Sequence, residues 1–437
     1  MHPRNPYNKP PDFTELARRY PPLRPYVFIN HTGSSTINFK SLPAQKCLTE
    51  ALFRLDYGLS LTLPDDRLCP PVPNRLNYVL WLQDIVKFTC GSATVRGLDI
   101  GTGASAIYPL LACSIEHTWN FVATDIDERS VQFAKQNVSQ NSMDNRIFVE
   151  RVQADGPILQ PLHTSLMNFD FTMCNPPFYS SAEDVSRSAE FKEFGPNAVC
   201  SGAEVEMITP GGETSFVARI FSESLQLRTK CRWYTSMLGK MSSIPDLVSL
   251  FREHSVDNYV ITEFVQGQTR RWAIGWSFQD ARVPDTFARV SNPTLRNIMP
   301  SRNTLHHAFP GARSANILAS ALRNVLVLIS GVTVTSSATP AIYDHSSTIL
   351  VHARSNTWSR AARRGKLQET VCADQDLPVL RCSVECRQHS SSYTSGDIAC
   401  ELLFTWVEGK DRLIFESFTS HVSHKITSSL KEFGDVK

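Results

Sequence analysis

The sequence predicts an α/β protein: a doubly wound, mostly parallel sheet with an antiparallel edge strand, followed by a small α+β domain. Three observations predict it. From Thr94 to His254, short apolar runs alternate with segments of helical period, the pattern of a sheet covered by helices on both faces. One of the junctions, Leu98-Asp99-Ile100-Gly101-Thr102-Gly103, passes from strand to helix through a glycine-rich turn. Two closing apolar runs, 258–265 and 271–278, are joined only by Gln266–Arg271. That connection is too short for a crossover helix, so the pair must be antiparallel.

A chain of 437 residues is too long for one simple core. Its composition suggests four parts: an N-terminal basic arm with helices (1–90), the α/β core (91–280), a linker (281–312) and the small domain (313–437). No apolar run is long enough to span a bilayer, and Met1-His2-Pro3-Arg4 lacks the apolar stretch of a secretory signal. The expectation is a soluble intracellular protein. Eleven cysteines are scattered singly through apolar segments, and only Cys382 and Cys386 lie close together. No second pair or histidine cluster completes a zinc site, so buried reduced thiols and no metal are expected. Net charge is near neutral, but residues 1–46 hold seven Lys or Arg against Asp12 and Glu15. A second basic run, Arg360 to Lys366, lies downstream. Both supply what phosphate contact requires.

Taken in order, Pro10-Pro11 precedes a short helix over Asp12–Tyr20, and residues 43–57 recur apolar at helical spacing. A proline-studded loop, 64–73, leads into a helix over 76–88. Strands follow at 95–100, 119–125, 146–152 and 169–174. The helices between them cover 101–114 and 128–138. A helix over 213–229, a strand over 232–238 and a helix over 244–254 lead to the closing pair. Beyond 313 we expect a helix or strand over 317–331 and strands over 346–353, 379–387 and 397–407. A final helix spans 412–430.

The chemistry gathers at one sheet edge. Gly101 and Gly103 let the backbone approach a nucleotide-like ligand, although Ala106 stands where a dinucleotide fingerprint has its third glycine. Asp125 ends the next strand, where a carboxylate takes both hydroxyls of a ribose. Asp99 and Asp155 add acids to that edge, which favours an adenosine carrying a cation over a phosphate. S-adenosylmethionine is such a ligand. The strand over 169–174 then stops at Asn175-Pro176-Pro177-Phe178, because prolines have no N–H to donate. The Asn175 side-chain oxygen and the Pro176 carbonyl can each accept one hydrogen of an exocyclic amine and free its lone pair. Pro177 stiffens the turn, and Phe178 can stack on a base, worth roughly 1–3 kcal/mol.

Asn-Pro-Pro-Phe after such a turn resembles the class I Rossmann-like adenine-N6 methyltransferases. Fuller strings narrow it: Leu98 to Leu111, Met173 to Phe178, Arg232-Trp-Tyr-Thr-Ser-Met-Leu-Gly-Lys240 and Arg271-Trp-Ala-Ile-Gly-Trp276. So do Lys9-Pro10-Pro11-Asp12-Phe13, Asn38-Phe39-Lys40 and Arg75-Leu76-Asn77-Tyr78. Together these are similar to the methyltransferase-like-16 family, relatives of the bacterial 23S ribosomal RNA adenine-N6 methyltransferase. The resemblance is dense over 1–280. Further on, Asn356-Thr-Trp358 and Trp406 to Arg412 resemble the family's accessory RNA-binding module.

The resemblance implies an enzyme that transfers methyl from S-adenosylmethionine to an adenosine in U6 small nuclear RNA or a related structured RNA. It is expected in the nucleus, or also in the cytoplasm. The donor site would fall on Arg75, Gly101, Asp125 and Asn175, with the loop at Asp155-Gly156. RNA contacts would fall on Lys9 to Phe13 and Lys40, on Gly239-Lys240, and on Gln266, Arg270, Arg271 and Trp272. Arg187 and Lys192 would add contacts from the loop after the motif. Two alternatives stand beside this reading: a protein glutamine-N5 methyltransferase, which also uses Asn-Pro-Pro, and a non-catalytic RNA-binding protein. Phe178 and the basic arm favour nucleic acid over a protein substrate, and the intact Gly101, Asp125 and Asn175 favour catalysis.

Overall fold

In the computed structural model, the described residues are 1–185, 203–267, 269–310, 312, 314–336, 348–359, 362, 378–390 and 398–434. They form two compact units, residues 1–279 with 287–300, and residues 280–286 with 301–437. The first unit is built on a seven-stranded sheet of β3 (Val95–Ile100), β4 (Trp119–Asp125), β5 (Ile147–Arg151), β6 (Phe169–Cys174), β7 (Cys231–Leu238), β8 (Tyr259–Gln266) and β9 (Thr269–Trp276). Their order is β5-β4-β3-β6-β7-β9-β8. The first five are parallel, and β9 runs antiparallel to both β7 and β8. The antiparallel strand expected at the edge is therefore one position in from it. The chain passes out to β8 and returns to pair with β7, so the short turn at Gly267 fixes antiparallel pairing but not which strand is outermost.

β3 lies inside the sheet, between β4 and β6, because its residues tolerate burial on both faces. Gly97 lies where an added Cβ would meet Phe121 and Phe171 rings at 2.7 Å, so only glycine lets the two aromatic rings close over the strand. Those rings pack edge-on at 5.7 Å, with Trp119 5.0 Å from Phe171. On the other face, Phe221, Phe251 and Trp276 form a cluster with ring separations of 4.9–5.7 Å. The helix Val72–Thr89 is buried along almost its whole length, and the hydroxyl of Tyr78 pairs with Thr235 Oγ1 at 2.7 Å and accepts the Cys174 N–H at 3.3 Å. That helix thus braces the end of β6.

The N-terminal arm is folded onto this core. His2 Nε2 lies 2.8 Å from Asp84, Arg4 bonds Asp84 at 2.7 Å, and Asn5 bonds Asn77 at 2.8 Å. Asp12 caps the helix Phe13–Arg19, and a hairpin of β1 (Val27–Ile29) and β2 (Ser35–Ile37) precedes the helix Leu42–Tyr57. This hairpin had no signal in the sequence beyond a Gly-Ser-Ser turn.

Residues 281–312, expected as a linker, are divided between the units. Leu295 and Met299 are buried in the first unit's core. Thr304–Phe309 forms β10, an outer strand of the second unit's antiparallel sheet. That sheet continues through β11 (Val332–Ser336), β12 (Thr348–Ala353), β13 (Leu380–Ser390) and β14 (Ile398–Glu408), in the order β10-β14-β13-β12-β11. The helices Ala315–Val327 and Arg412–Gly434 cover it through Leu322, Phe415 and Phe418. The segment read as helix or strand over 317–331 is mostly helix. Trp358 and Trp406, from the strings that resemble the accessory module, are core residues of this unit.

Cys47, Cys113, Cys174, Cys231, Cys382, Cys386 and Cys400 are buried thiols. Among the described residues no group of three His, Cys, Asp or Glu could hold a metal, and no helix is long and apolar enough to cross a membrane.

Candidate active site

A cavity of about 380 Å³ opens at the C-terminal ends of β3, β4 and β6, the crevice where open α/β sheets bind ligands. Its floor is the glycine turn. Gly101 and Gly103 hold φ of +70° and +64°, values that favour glycine, and the helix expected to open there begins only at Ile107. Ala106, with φ +47°, makes the last left-handed step. The turn is fastened from outside by Asn137, whose amide donates to Ala104 O at 2.9 Å.

Asp125 reaches across from the end of β4. Its two oxygens accept the Gly103 N–H and the Asp127 N–H, both at 2.9 Å, and burial raises its pKa. Asp99 sits behind the turn, fully buried, and neither of its oxygens has a hydrogen-bond partner. Burial pushes its pKa up to about 7, and the neighbouring Asp125 charge adds to this. Arg75, from the helix Val72–Thr89, is buried at the same end and donates to the Tyr108 hydroxyl at 3.3 Å. At the other wall lie Gln153, Ala154, Gly156, Pro157 and Phe216. Asp155, expected with them, is exposed and does not line the cavity: the loop turns its side chain to water while Gly156 faces inward.

The groups suit an adenosine with a cationic substituent. Asp125 can accept from ribose hydroxyls and Arg75 can pair with a carboxylate; Asp99, expected to contact the donor, is buried behind the turn and does not line the cavity. Asn175 stands at the mouth: its side-chain oxygen is buried, without a hydrogen-bond partner, and it lines the cavity with Pro177.

Pro176 is buried and Phe178 lies beyond the cavity, on the acceptor side. The Arg271 guanidinium sits 5.5 Å from the Phe178 ring centre, and Gly239 is so close that an added Cβ would be 2.7 Å from that ring. Lys240 pairs with Asp184 at 3.1 Å and lies 5.7 Å from the Tyr179 ring. So Phe178, Gly239, Lys240 and Arg271 come together. Lys9, Pro10 and Lys40 are exposed on the N-terminal arm. Asp12 and Phe13 serve the arm itself: Asp12 accepts the Thr14 N–H at 2.9 Å, and Phe13 is buried edge-on against Phe39. Trp272 is buried in the core, because strand alternation turns it away from Arg271. Arg270 pairs with Glu263 at 2.9 Å, and Gln266 ends β8. Arg187 and Lys192 lie outside the described residues, as does nearly all of the basic run 360–366.

Local pattern alone did not reveal a roof. Residues 204–209 run beside the motif: Tyr179 N–H donates to Met207 O at 3.0 Å and Thr209 N–H to Tyr179 O at 2.9 Å. Glu206 from this segment accepts the Leu68 N–H at 3.0 Å and the Ala203 N–H at 2.7 Å, and lines the cavity beside Gly103. Burial raises its pKa.

This is the fold and donor cleft of a class I Rossmann-like methyltransferase. A model of an RNA methyltransferase family matches residues 1–280. The chain belongs to that family, the methyltransferase-like-16 proteins. The mouse RNA N(6)-adenosine-methyltransferase METTL16 is 42% identical over 286 residues, covering 64% of this chain and 52% of that protein. The chain therefore spans about half the length of this relative. The fission yeast Schizosaccharomyces pombe U6 small nuclear RNA (adenine-(43)-N(6))-methyltransferase is 34% identical over 421 residues, covering 93% of this chain and 99% of that protein. Among solved structures, the hMettl16 catalytic domain in complex with MAT2A 3′UTR hairpin 1 is 42% identical, covers 64% of this chain and 96% of its own, and has a TM-score of 0.60. The N-terminal domain of human METTL16 in complex with SAH is 41% identical, covers 64% and 99%, and has a TM-score of 0.55.

Proposed function

We propose that this protein is an S-adenosylmethionine-dependent RNA adenine-N6 methyltransferase whose substrate is a structured RNA, U6 small nuclear RNA first among them. Its work is then nuclear. One observation carries the proposal: the side-chain oxygen of Asn175, a residue that lines the donor cavity and opens the Asn-Pro-Pro-Phe motif, is buried and unpartnered. A hydrogen-bond acceptor held there without a partner is matched by an amine presented beside the donor.

Bound in the cavity, S-adenosylmethionine supplies an electrophilic methyl group on its sulfonium. The chain's own residues do the rest. Asp125 and Arg75 fix the two ends of the donor, and the glycine turn lets it lie against the backbone. Asn175 Oδ1 and the Pro176 carbonyl each accept one hydrogen of the adenine amine, which turns its lone pair out of conjugation and toward the methyl. The proline pair keeps competing N–H donors away from that point. Phe178 holds the base plane. The methylated amine is a strong acid and sheds its proton to water, so no general base is needed. The family's curated relatives in mouse and fission yeast, both named as RNA adenosine N6-methyltransferases, support this reading.

Asn175→Ala tests it. Methylation of a U6 transcript should fall by at least about a hundredfold, the scale of losing one transition-state hydrogen bond. Affinity for S-adenosylhomocysteine should change less than about threefold. Retained turnover would remove Asn175 from the mechanism.

A further inference from the structure

The acceptor side of the site contains a buried carboxylate that the mechanism above leaves unused. Glu213 stands in the first turn of the helix Gly212–Leu227 and is 2% exposed. One of its oxygens accepts the Gly239 N–H at 2.6 Å. The other accepts the Lys240 N–H at 2.9 Å and the Ser243 hydroxyl at 2.6 Å. Three donors converging on one carboxylate from a single turn make a clamp, and the turn they belong to follows β7 directly. A structural requirement for helix capping does not explain it, since the helix Ser243–Glu253 begins only at the third of these donors.

What the clamp holds is the back of the Phe178 ring. Gly239 approaches so closely that an added Cβ would lie 2.7 Å from Phe178 Cδ1, 3.2 Å from Cε1 and 3.1 Å from Glu213 Oε2. The carboxylate, the glycine and the ring are therefore packed in series. The neighbouring Gly212, with φ +67°, brings the start of Glu213's own helix against the motif: its Cβ position is 3.6 Å from Phe178 O and from Ser180 N. Glu213 thus touches the motif's backbone through the residue before it, and the motif's ring through the turn it grips. Lys240 extends the connection to Asp184 and Tyr179.

We infer that Glu213 is a positioning residue for methyl transfer: by clamping the Gly239–Ser243 turn it sets the depth and tilt of the Phe178 ring, and with them the plane of the acceptor base. The inference rests on the proposed adenine-N6 chemistry. It concerns the acceptor alone, because Glu213 does not line the donor cavity. Misplacing a reacting group by about 1 Å costs up to about a hundredfold in rate, so loosening this clamp should act on kcat.

The test uses the full chain, S-adenosylmethionine and a U6 transcript. Glu213→Gln keeps the volume but turns one acceptor into an N–H₂ that faces N–H and O–H donors. It should speed amide exchange at Gly239 and Lys240 and lower kcat at least about tenfold, while KM for RNA and S-adenosylhomocysteine affinity stay within about twofold. Gly239→Ala, which presses on the ring directly, should give the same split and decides the matter if Glu213→Gln does not fold. Wild-type kcat in a variant whose 239–240 amides exchange faster would overturn the inference, as would a parallel loss of kcat and donor affinity. A wild-type protein that methylates no RNA adenosine would instead refute the proposed function, and that result is read before either variant.

Discussion

Replacing Asp99 by Asn should make the stability of this protein less dependent on pH, because this buried carboxyl acts on stability in the direction opposite to a salt-bridged one. Its carboxyl is fully buried with both oxygens unpartnered, and its pKa is pushed from 3.8 up to about 7. The folded state therefore holds this proton more tightly than the unfolded chain does. Stability from this group is complete below about pH 3.8, declines as pH rises toward 7, and is flat beyond. Each tenfold in proton affinity is about 1.4 kcal/mol, so ionised Asp99 costs the fold about 4 kcal/mol above pH 7. Asn carries its own cost as a buried unpaired amide, about 1–3 kcal/mol, but that cost does not titrate. The difference between wild type and Asp99→Asn should thus move by about 3 kcal/mol in the variant's favour between pH 5 and pH 8. Taking the difference also cancels Glu206, whose pKa is raised as well. Urea unfolding at pH 5, 6, 7 and 8 measures it by tryptophan fluorescence, since Trp81, Trp119, Trp233, Trp272 and Trp276 all lie in the first unit. The reasoning fails if the two proteins keep a constant stability difference across that range.

Two further outcomes are expected. Asp125→Asn puts an N–H₂ against the Gly103 or Asp127 N–H, so S-adenosylhomocysteine affinity should fall at least about tenfold by calorimetry, a loss of about 1.4 kcal/mol. A fragment ending at residue 300 should be more stable than one ending at 280 by about 3–6 kcal/mol, from keeping Leu295 and Met299 buried, and equal urea midpoints would contradict this.

The parts of this molecule legible in sequence were those set by local pattern. Strands β3, β4 and β6 announce themselves as apolar runs ending in Gly101, Asp125 and Asn175. Because strand ends fall on one sheet edge, the sequence alone brings those three residues together. Asn175's buried, partnerless oxygen and Asp125's grip on the glycine turn then gave that edge its geometry. What escaped was set by contacts distant in sequence. Glu206 and Glu213 follow a Ser/Gly/Glu-rich stretch with little periodicity, and only the pairing of residues 204–209 with Tyr179 and of Glu213 with Gly239 shows what they hold. Asp155 and Gly156 are adjacent, yet one faces water and the other the cavity, a choice made by the loop's path. Phe13 and Trp272 illustrate the converse. Large aromatics in strings resembling a nucleic-acid contact surface are buried here, where they shape the arm and the core that carry exposed Lys9 and half-buried Arg271.

The proposed reaction is methylation of the N6 amine of an adenosine in RNA. Incubating the protein with methyl-labelled S-adenosylmethionine and total nuclear RNA, digesting to nucleosides and mapping the labelled host RNA tests it most directly. Label should appear in N6-methyladenosine, carried by U6 small nuclear RNA and absent with Asn175→Ala. Label in any other nucleoside, in protein glutamine, or undiminished in the Asn175 variant would contradict it.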